Sequence, residues 1–319
     1  MATALKDWEN RIGRRLKLRD LHILSAVVQW GSMAKAAKQL SMTQPAVSDA
    51  IATLEDALRV RLLDRSSRGV EPTIYANALL KRGLVVFDEL RAGIRDIEFL
   101  ANPRAGEVRV GCPEALAVGL VPAIIDRLSR RYPRIDVHVV HAETATLELR
   151  ELRERDVDLM VGRVLGPLHD DIHADVLFEE RRFVVAGARS RWAGRRKLAL
   201  AELAHEPWIL DPPNAAAIPL ITTAFRAHGL ELPRRNVTSF SLHVRTYLLA
   251  TGRFLAIMSD STLRFRAKPW SVKVLPIDLG VPPQRVAIFT LKNRTLSPAV
   301  NLFIECARVV ARPLASSPG

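Results

Sequence analysis

Gln44, Pro45, Ser48 and Ala52 are small, polar or flat side chains that share one face if residues 44–58 are helical. Groups of this kind suit the edges of base pairs in a DNA major groove, which is wide enough to admit one helix. Val47, Ile51 and Leu54 recur at i, i+4 and i+7 on the other face and read as a core stripe. Thr43 is placed to cap this helix through its hydroxyl, and Pro45 falls in the first turn, where its missing donor costs little. Upstream, Ala34, Ala37 and Leu40 share a helical face whose small alanines permit close approach, and Ser41-Met42-Thr43 breaks the period. The pattern predicts a helix-turn-helix.

Other chemistry finds little support. His169-Asp170-Asp171-Ile172-His173 holds metal-capable groups, but no further ligands stand at suitable spacing, and a solvated loop is the expected reading. No glycine-rich phosphate loop follows a strand, no nucleophile elbow occurs and no His-Glu pair lies on a helical repeat. No catalytic residue, metal or cofactor is therefore expected. The competing reading is an enzyme or small-molecule receptor carrying an incidental helical bundle.

The elements that must hold the 44–58 helix are also visible. Leu21, Leu24 and Val28, with Leu18 and Val27 beside them, make an amphipathic first helix ending at Gly31. Leu62-Leu63-Asp64-Arg65-Ser66-Ser67-Arg68 and Glu71-Pro72-Thr73 are short, basic and turn-rich, as a wing lying along a phosphate backbone would be. Thr73 can cap a helix running to about Leu100. Its apolar positions Leu80, Leu84, Phe87, Leu90, Ile94 and Ile97 form a seam for the same helix of a second subunit. Ala101-Asn102-Pro103-Arg104-Ala105-Gly106 would end that helix as a hinge.

This N-terminal arrangement resembles the LysR-type transcriptional regulators. The likeness is carried by Gly31-Ser32, Ala36-Ala37, Leu40, Thr43-Gln44-Pro45-Ala46-Val47-Ser48, Leu54-Glu55, and Leu62-Leu63-Asp64-Arg65 with Arg68. It is strong over residues 18–70 and one of architecture beyond residue 100. The resemblance implies double-stranded operator DNA as partner, self-association as a dimer and further as a tetramer, RNA polymerase as a partner, and a small-molecule effector of unknown identity. It also implies that Thr43, Gln44, Pro45, Ala46, Ser48, Arg65 and Arg68 contact DNA. Gln44 suits an adenine edge, Pro45 a thymine methyl, and Ser48 a base or phosphate. Asp49 stands where many relatives carry a basic or amide residue. It is expected to turn towards Lys38 or Arg61 or, alternatively, to accept from a cytosine amino group. Ala76 replaces a frequent glycine and favours helix.

From Glu107 the texture changes to alternating strands and helices. Strands are expected at 108–112, 135–140, 157–161, 176–179, 183–186, 236–240, 254–258, 272–277 and 287–291. Helices are expected at 115–130, 144–154, 199–204, 215–228, 241–251 and 297–311. This order implies an α/β fold with mainly parallel, wound sheets. The overall expectation is an N-terminal winged helix-turn-helix, a long linker helix and a two-subdomain, periplasmic-binding-protein-like effector domain. The boundaries are an extension at 1–17, the reading domain at 18–73, the linker at 74–101 and the effector domain at 107–319. Within it, subdomain I takes 107–163 and 271–319, and subdomain II takes 164–270. Ligands of such folds sit at strand C-termini between the halves. By resemblance the effector-binding candidates are Glu114, Thr144, Arg163, Asn214, Ser241 and Ser259.

Composition fits a globular regulator. The 319 residues are 48% hydrophobic, without an uncharged apolar run long enough to span a bilayer. Residues 1–11 lack the apolar core of a signal peptide, so a cytoplasmic protein with no membrane partner is expected. Cys112 and Cys306 are the only cysteines and are expected to be reduced. The net charge is +13. Residues 1–100 hold 16 Lys and Arg against 12 Asp and Glu, and the remainder 31 against 22, so the excess is not confined to the reading domain. Arg11, Arg14, Arg15 and Lys17 give the extension a basic, solvated face. The basic C-terminal region favours an anionic effector, whereas Glu114 and Glu143 would suit a hydroxylated or cationic one.

Overall fold

A computed structural model describes residues 16–66, 69–102, 105–142, 149–215, 217–265 and 271–315. The chain divides into two compact units, Met1–Arg91 and Ala92–Gly319.

In the first unit, α1 (Leu18–Trp30), α2 (Met33–Gln39) and α3 (Gln44–Leu58) pack together, followed by the hairpin of β1 (Leu63–Ser66) and β2 (Gly69–Pro72). Ile23, Leu24 and Val27 of α1 meet Val47, Ile51 and Leu54 of α3 in one apolar cluster. Burying each such side chain is worth about 1.5–3 kcal/mol, so the i, i+4, i+7 stripe decides which face of α3 points inward. Gly31 ends α1 in the left-handed region, and the bond from Val70 N–H to Gly31 O (3.1 Å) closes the hairpin onto that end. Gly69 has φ +128°, and a Cβ there would lie 2.8 Å from Gly31 O, so this approach requires glycine.

α4 (Ile74–Ala101) has 28 residues. Leu80 is half-buried against the first unit's core, and Phe87 meets the His22 ring edge-on with centroids 5.9 Å apart. Leu84, Leu90, Ile94 and Ile97 are exposed, Ile94 by 57% and Ile97 by 68%.

The second unit contains two five-stranded sheets. The first has the order β4-β3-β5-β12-β6, from β3 (Ala105–Cys112), β4 (Arg134–His141), β5 (Leu159–Arg163), β6 (Ile172–Glu180) and β12 (Gln284–Leu291). The second has the order β11-β7-β10-β8-β9, from β7 (Arg182–Gly187), β8 (Trp208–Leu210), β9 (Arg235–Thr238), β10 (Leu255–Ser259) and β11 (Val272–Val274). The helices are α5 (Glu114–Ala117), α6 (Leu120–Arg131), α7 (Arg150–Arg153), α8 (Ala217–Ala227), α9 (Leu242–Ala250), α10 (Asp260–Arg264) and α11 (Pro298–Ala315). The buried face of α11, including Val300, Phe303, Ala307 and Ala311, packs with α6 over the first sheet.

Several expectations need correction. Each sheet is mixed rather than mainly parallel, because β12 runs antiparallel to both neighbours and β7 does the same. Ile172–Glu180, expected in the second half, pairs with β12 in the first sheet, and Val272–Val274, expected in the first half, pairs with β7 in the second. The two crossings therefore fall after Glu180 and after Val274, not at 163/164 and 270/271. The 115–130 helix splits at Val118-Gly119 into α5 and α6, and a Cβ at Gly119 would lie 2.8 Å from Phe265 Cβ, so the close approach there requires glycine. The 199–204 helix is a 3-10 turn, Leu200–Leu203. Arg150–Arg153 is the helical part of 144–154 among the described residues.

Candidate functional site

In the first unit the Thr43 hydroxyl accepts from Ala46 N–H at 3.4 Å and caps α3. Gln44 and Pro45 are exposed, and Ala46 and Ser48 are half-buried on the side away from Val47 and Ile51. The Glu55 carboxylate accepts from Leu62 N–H (2.7 Å) and Leu63 N–H (3.2 Å), tying α3 to β1. Thr73 donates its hydroxyl to Arg61 O (2.8 Å) and accepts from Ala76 N–H (3.3 Å), joining hairpin to linker helix. The result is a convex polar helix face beside a two-stranded wing. Asp49 is exposed, and among the described residues its carboxylate pairs with neither Lys38 nor Arg61; the expected contact is not made. Arg65 lies in β1, while its side chain and all of Arg68 fall outside the described residues.

In the second unit a cleft opens between the two sheets. It encloses about 740 Å³, part of it open solvent, and its walls include Glu114, Arg163, Arg182, Asp211, Phe240, Arg245 and Ser259. Arg163, at the end of β5, is buried; its Nε donates to Glu180 and its Nη2 to the Ser259 hydroxyl at 3.0 Å. Ser261 donates to Glu180, Ser259 shares a hydrogen with Thr262 (2.9 Å), and Thr262 donates to Ala115 O (3.1 Å). Glu114 accepts from Leu242 N–H at 2.8 Å. These bonds join the first subdomain to the second. Arg245 donates to Asp211 (2.6 Å), Ser239 O (2.7 Å) and Ile257 O (3.1 Å). Arg182 donates through Nε (3.0 Å) and Nη2 (2.8 Å) to the side-chain oxygen of Gln284. Burial, reinforced by the neighbouring Arg163, lowers the Arg182 guanidinium to about 10, which leaves it charged at neutral pH.

Of the expected effector residues, Glu114, Arg163 and Ser259 meet at the cleft. Asn214 is exposed, and Ser241 spends its hydroxyl as the cap of α9, accepting from Val244 N–H at 3.4 Å; neither lines the cleft, although Ala215, Phe240 and Leu242 beside them do. Thr144 and Glu143 lie outside the described residues. Arg182, Asp211, Arg245 and Thr262 were not anticipated. The run Phe178-Glu179-Glu180-Arg181-Arg182, which spans the end of β6 and the start of β7, was the available signal for Arg182. Of the 169–173 segment expected as a loop, Ile172 and His173 belong to β6; Asp171, just before the strand, is held below the usual carboxylate range by its hydrogen bonds from Arg153 (3.0 and 2.9 Å).

Two families match the chain. "LysR substrate binding domain" matches residues 101–312, and "Bacterial regulatory helix-turn-helix protein, lysR family" matches residues 18–76. The chain is 28% identical over 301 residues to the HTH-type transcriptional regulator GbpR of Azospirillum brasilense, covering 93% of this chain and 87% of that one. It is 27% identical over 307 residues to PcaQ of Agrobacterium fabrum, covering 95% and 97%. Among solved structures, full-length OxyR from Pseudomonas aeruginosa superposes with TM-score 0.68 at 21% identity, over 95% of this chain and 99% of that one. CbnR in complex with its target DNA gives 0.66 at 21%, over 92% and 100%. A helix-turn-helix with a wing, followed by a two-sheet ligand-binding unit, defines a ligand-responsive transcriptional regulator. This chain belongs to the LysR family, whose members are DNA-binding regulators and not enzymes.

Proposed function

We propose that the chain reads operator DNA through Thr43, Gln44, Pro45, Ala46 and Ser48, with Arg65 and Arg68 on phosphate. The observation that carries this reading is the split character of α3, with one face fully buried and the other polar and solvent-facing. The apolar stripe of α4, with Leu84, Leu90, Ile94 and Ile97 exposed and Leu80 and Phe87 half-buried on it, supports a dimer seam that sets two reading heads on two half-sites. Family membership supports a tetramer of two such dimers, contact with RNA polymerase and a cytoplasmic location. Among the described residues no helix is long and apolar enough to cross a membrane.

The effector site is the cleft, with Glu114 and Ser259 facing the ligand and Arg163 holding the two walls. A ligand shifts the arrangement only by its differential affinity for the joined and separated states. Gel shifts on the DNA upstream of the protein's own gene test the reading. Residues 1–101 should bind that DNA as a dimer and respond to no metabolite. A fragment that is monomeric in sedimentation, or a full chain without sequence preference, would overturn it.

A further inference from the structure

The charges lining the cleft do not all pair. Arg163 is matched by Glu180 and Arg245 by Asp211. Arg182 has no carboxylate within salt-bridge distance among the described residues; two of its bonds go to one neutral oxygen, that of Gln284. A guanidinium offers five donors. Among the described residues its Nη1 has no partner, yet it is absent from the buried unsatisfied atoms, which are Arg95 Nε, Trp192 Nε1 and Arg245 Nε. Arg182 is itself one of the residues that line the cleft. Apolar side chains line the same cleft: Leu165, Ala215, Ala217, Phe240 and Met258.

Glu114 is the cleft's other charge without a guanidinium partner. It stands on α5 of the first subdomain, with one oxygen on Leu242 N–H and His243 Nδ1 3.8 Å from that same oxygen. It is placed to take a donor at the far end of a ligand. We propose that the effector is a small organic carboxylate whose anionic end is bound by Arg182, with its apolar body between the two walls. Gln284 presents the guanidinium edge without neutralising it, which a carboxylate at 284 would do. Being charged at pH 7, Arg182 needs no proton uptake to bind. This assignment rests on the cleft being the effector site.

Titration of the full chain with butyrate, butyramide and butylammonium at constant ionic strength separates the charge classes on one carbon skeleton. Butyrate should bind with a dissociation constant on the order of 10 mM, as befits so few atoms. The amide and the ammonium should bind at least about tenfold more weakly. Arg182→Gln should weaken butyrate by about tenfold and leave butyramide unchanged. Gln284→Glu, which keeps the guanidinium but supplies a counter-charge, should do the same, so a folding defect in one variant does not decide the matter. Equal binding of the three probes, no butyrate binding at all, or undiminished butyrate binding in both variants overturns the proposal. Leu165→Trp fills the cleft and separates the two readings. Butyrate still bound by Leu165→Trp removes the cleft as the site, and the Arg182 assignment with it. Binding blocked by Leu165→Trp but insensitive to Arg182→Gln and Gln284→Glu removes only the assignment to Arg182.

Discussion

The carboxylate of Glu55 accepts the backbone N–H of Leu62 at 2.7 Å, so the end of the reading helix and the entry to the wing are fixed by one side chain. Leu63 N–H shares the same oxygen at 3.2 Å. Glu55→Ala leaves both donors in a partly buried place without a partner, at a cost of about 1–3 kcal/mol. The expected result is a lower urea midpoint together with weaker DNA binding. Glu55→Gln keeps an acceptor and should recover most of both, and an unchanged midpoint in the alanine variant would count against the tie.

Gln44→Ala and Ser48→Arg alter the polar face of α3 without touching Val47 or Ile51. Each should cost roughly 1–3 kcal/mol of discrimination between the operator and unrelated DNA while leaving thermal stability nearly unchanged. Footprinting with competitor DNA reads the ratio. Unaltered discrimination in both variants would move the reading surface elsewhere.

Asp158 links β5 to two arginines, accepting from Arg109 Nη2 (2.9 Å), Arg109 N–H (2.9 Å) and Arg294 Nη2 (2.8 Å). Burial acts to raise this carboxyl, but the bonds and charges of the arginines outweigh it and hold it below the ordinary carboxylate value. The stabilisation is thus complete above the unfolded value of about 3.9 and is lost as pH falls through the lower folded value. Asp158→Asn should cost about 3–5 kcal/mol at pH 7, because it removes the buried charge that Arg109 and Arg294 both contact. Urea midpoints of the two proteins should converge as pH drops below about 4. A gap that stays constant to pH 2 would refute the ionic origin.

Ser259→Ala removes the acceptor that Arg163 uses across the cleft at 3.0 Å. A net loss of about 1 kcal/mol multiplies the opened population by roughly five. Hydrogen exchange at the Leu242 amide, which is bonded to Glu114 across the same cleft, should quicken by that factor. No change in its exchange would show that the two walls part without breaking the Arg163 bond.

Leu90→Lys with Ile94→Lys places two charges on the exposed stripe of α4, where no contact of the first unit's core is lost. The expected outcome in sedimentation is a smaller species with a folded reading domain and weakened operator binding. Retention of the full mass would reassign the stripe.

The reading domain was legible because its signals are local. The cap at Thr43, the Pro45 first turn and the Val47–Ile51–Leu54 stripe all lie within a dozen residues, and the three apolar side chains are fully buried. The sheets were harder. Trp208–Leu210 is three residues long, too short for a period-2 pattern, and Ile172–Glu180 finds its partner more than a hundred positions away in β12. The cleft charges share that difficulty. Arg182 meets Gln284 across 102 positions and Arg163 meets Ser259 across 96, so no spacing rule could pair them. Resemblance brought Glu114, Arg163 and Ser259 together, and it placed Ser241 and Asn214 one residue away from side chains that do line the cleft.

The position of β12 has a consequence for the order in which this chain is made. It sits between β5 and β6, so on the ribosome both strands wait with an open edge until Gln284–Leu291 emerges. At common elongation rates the interval between Glu180 and Leu291 is on the order of 10 s. The second sheet, drawn from a continuous run between Arg182 and Val274, can close during that interval, and the reading domain can close earlier still. The first sheet is therefore the last to complete, and its unpaired edges are where a chaperone would find the nascent chain.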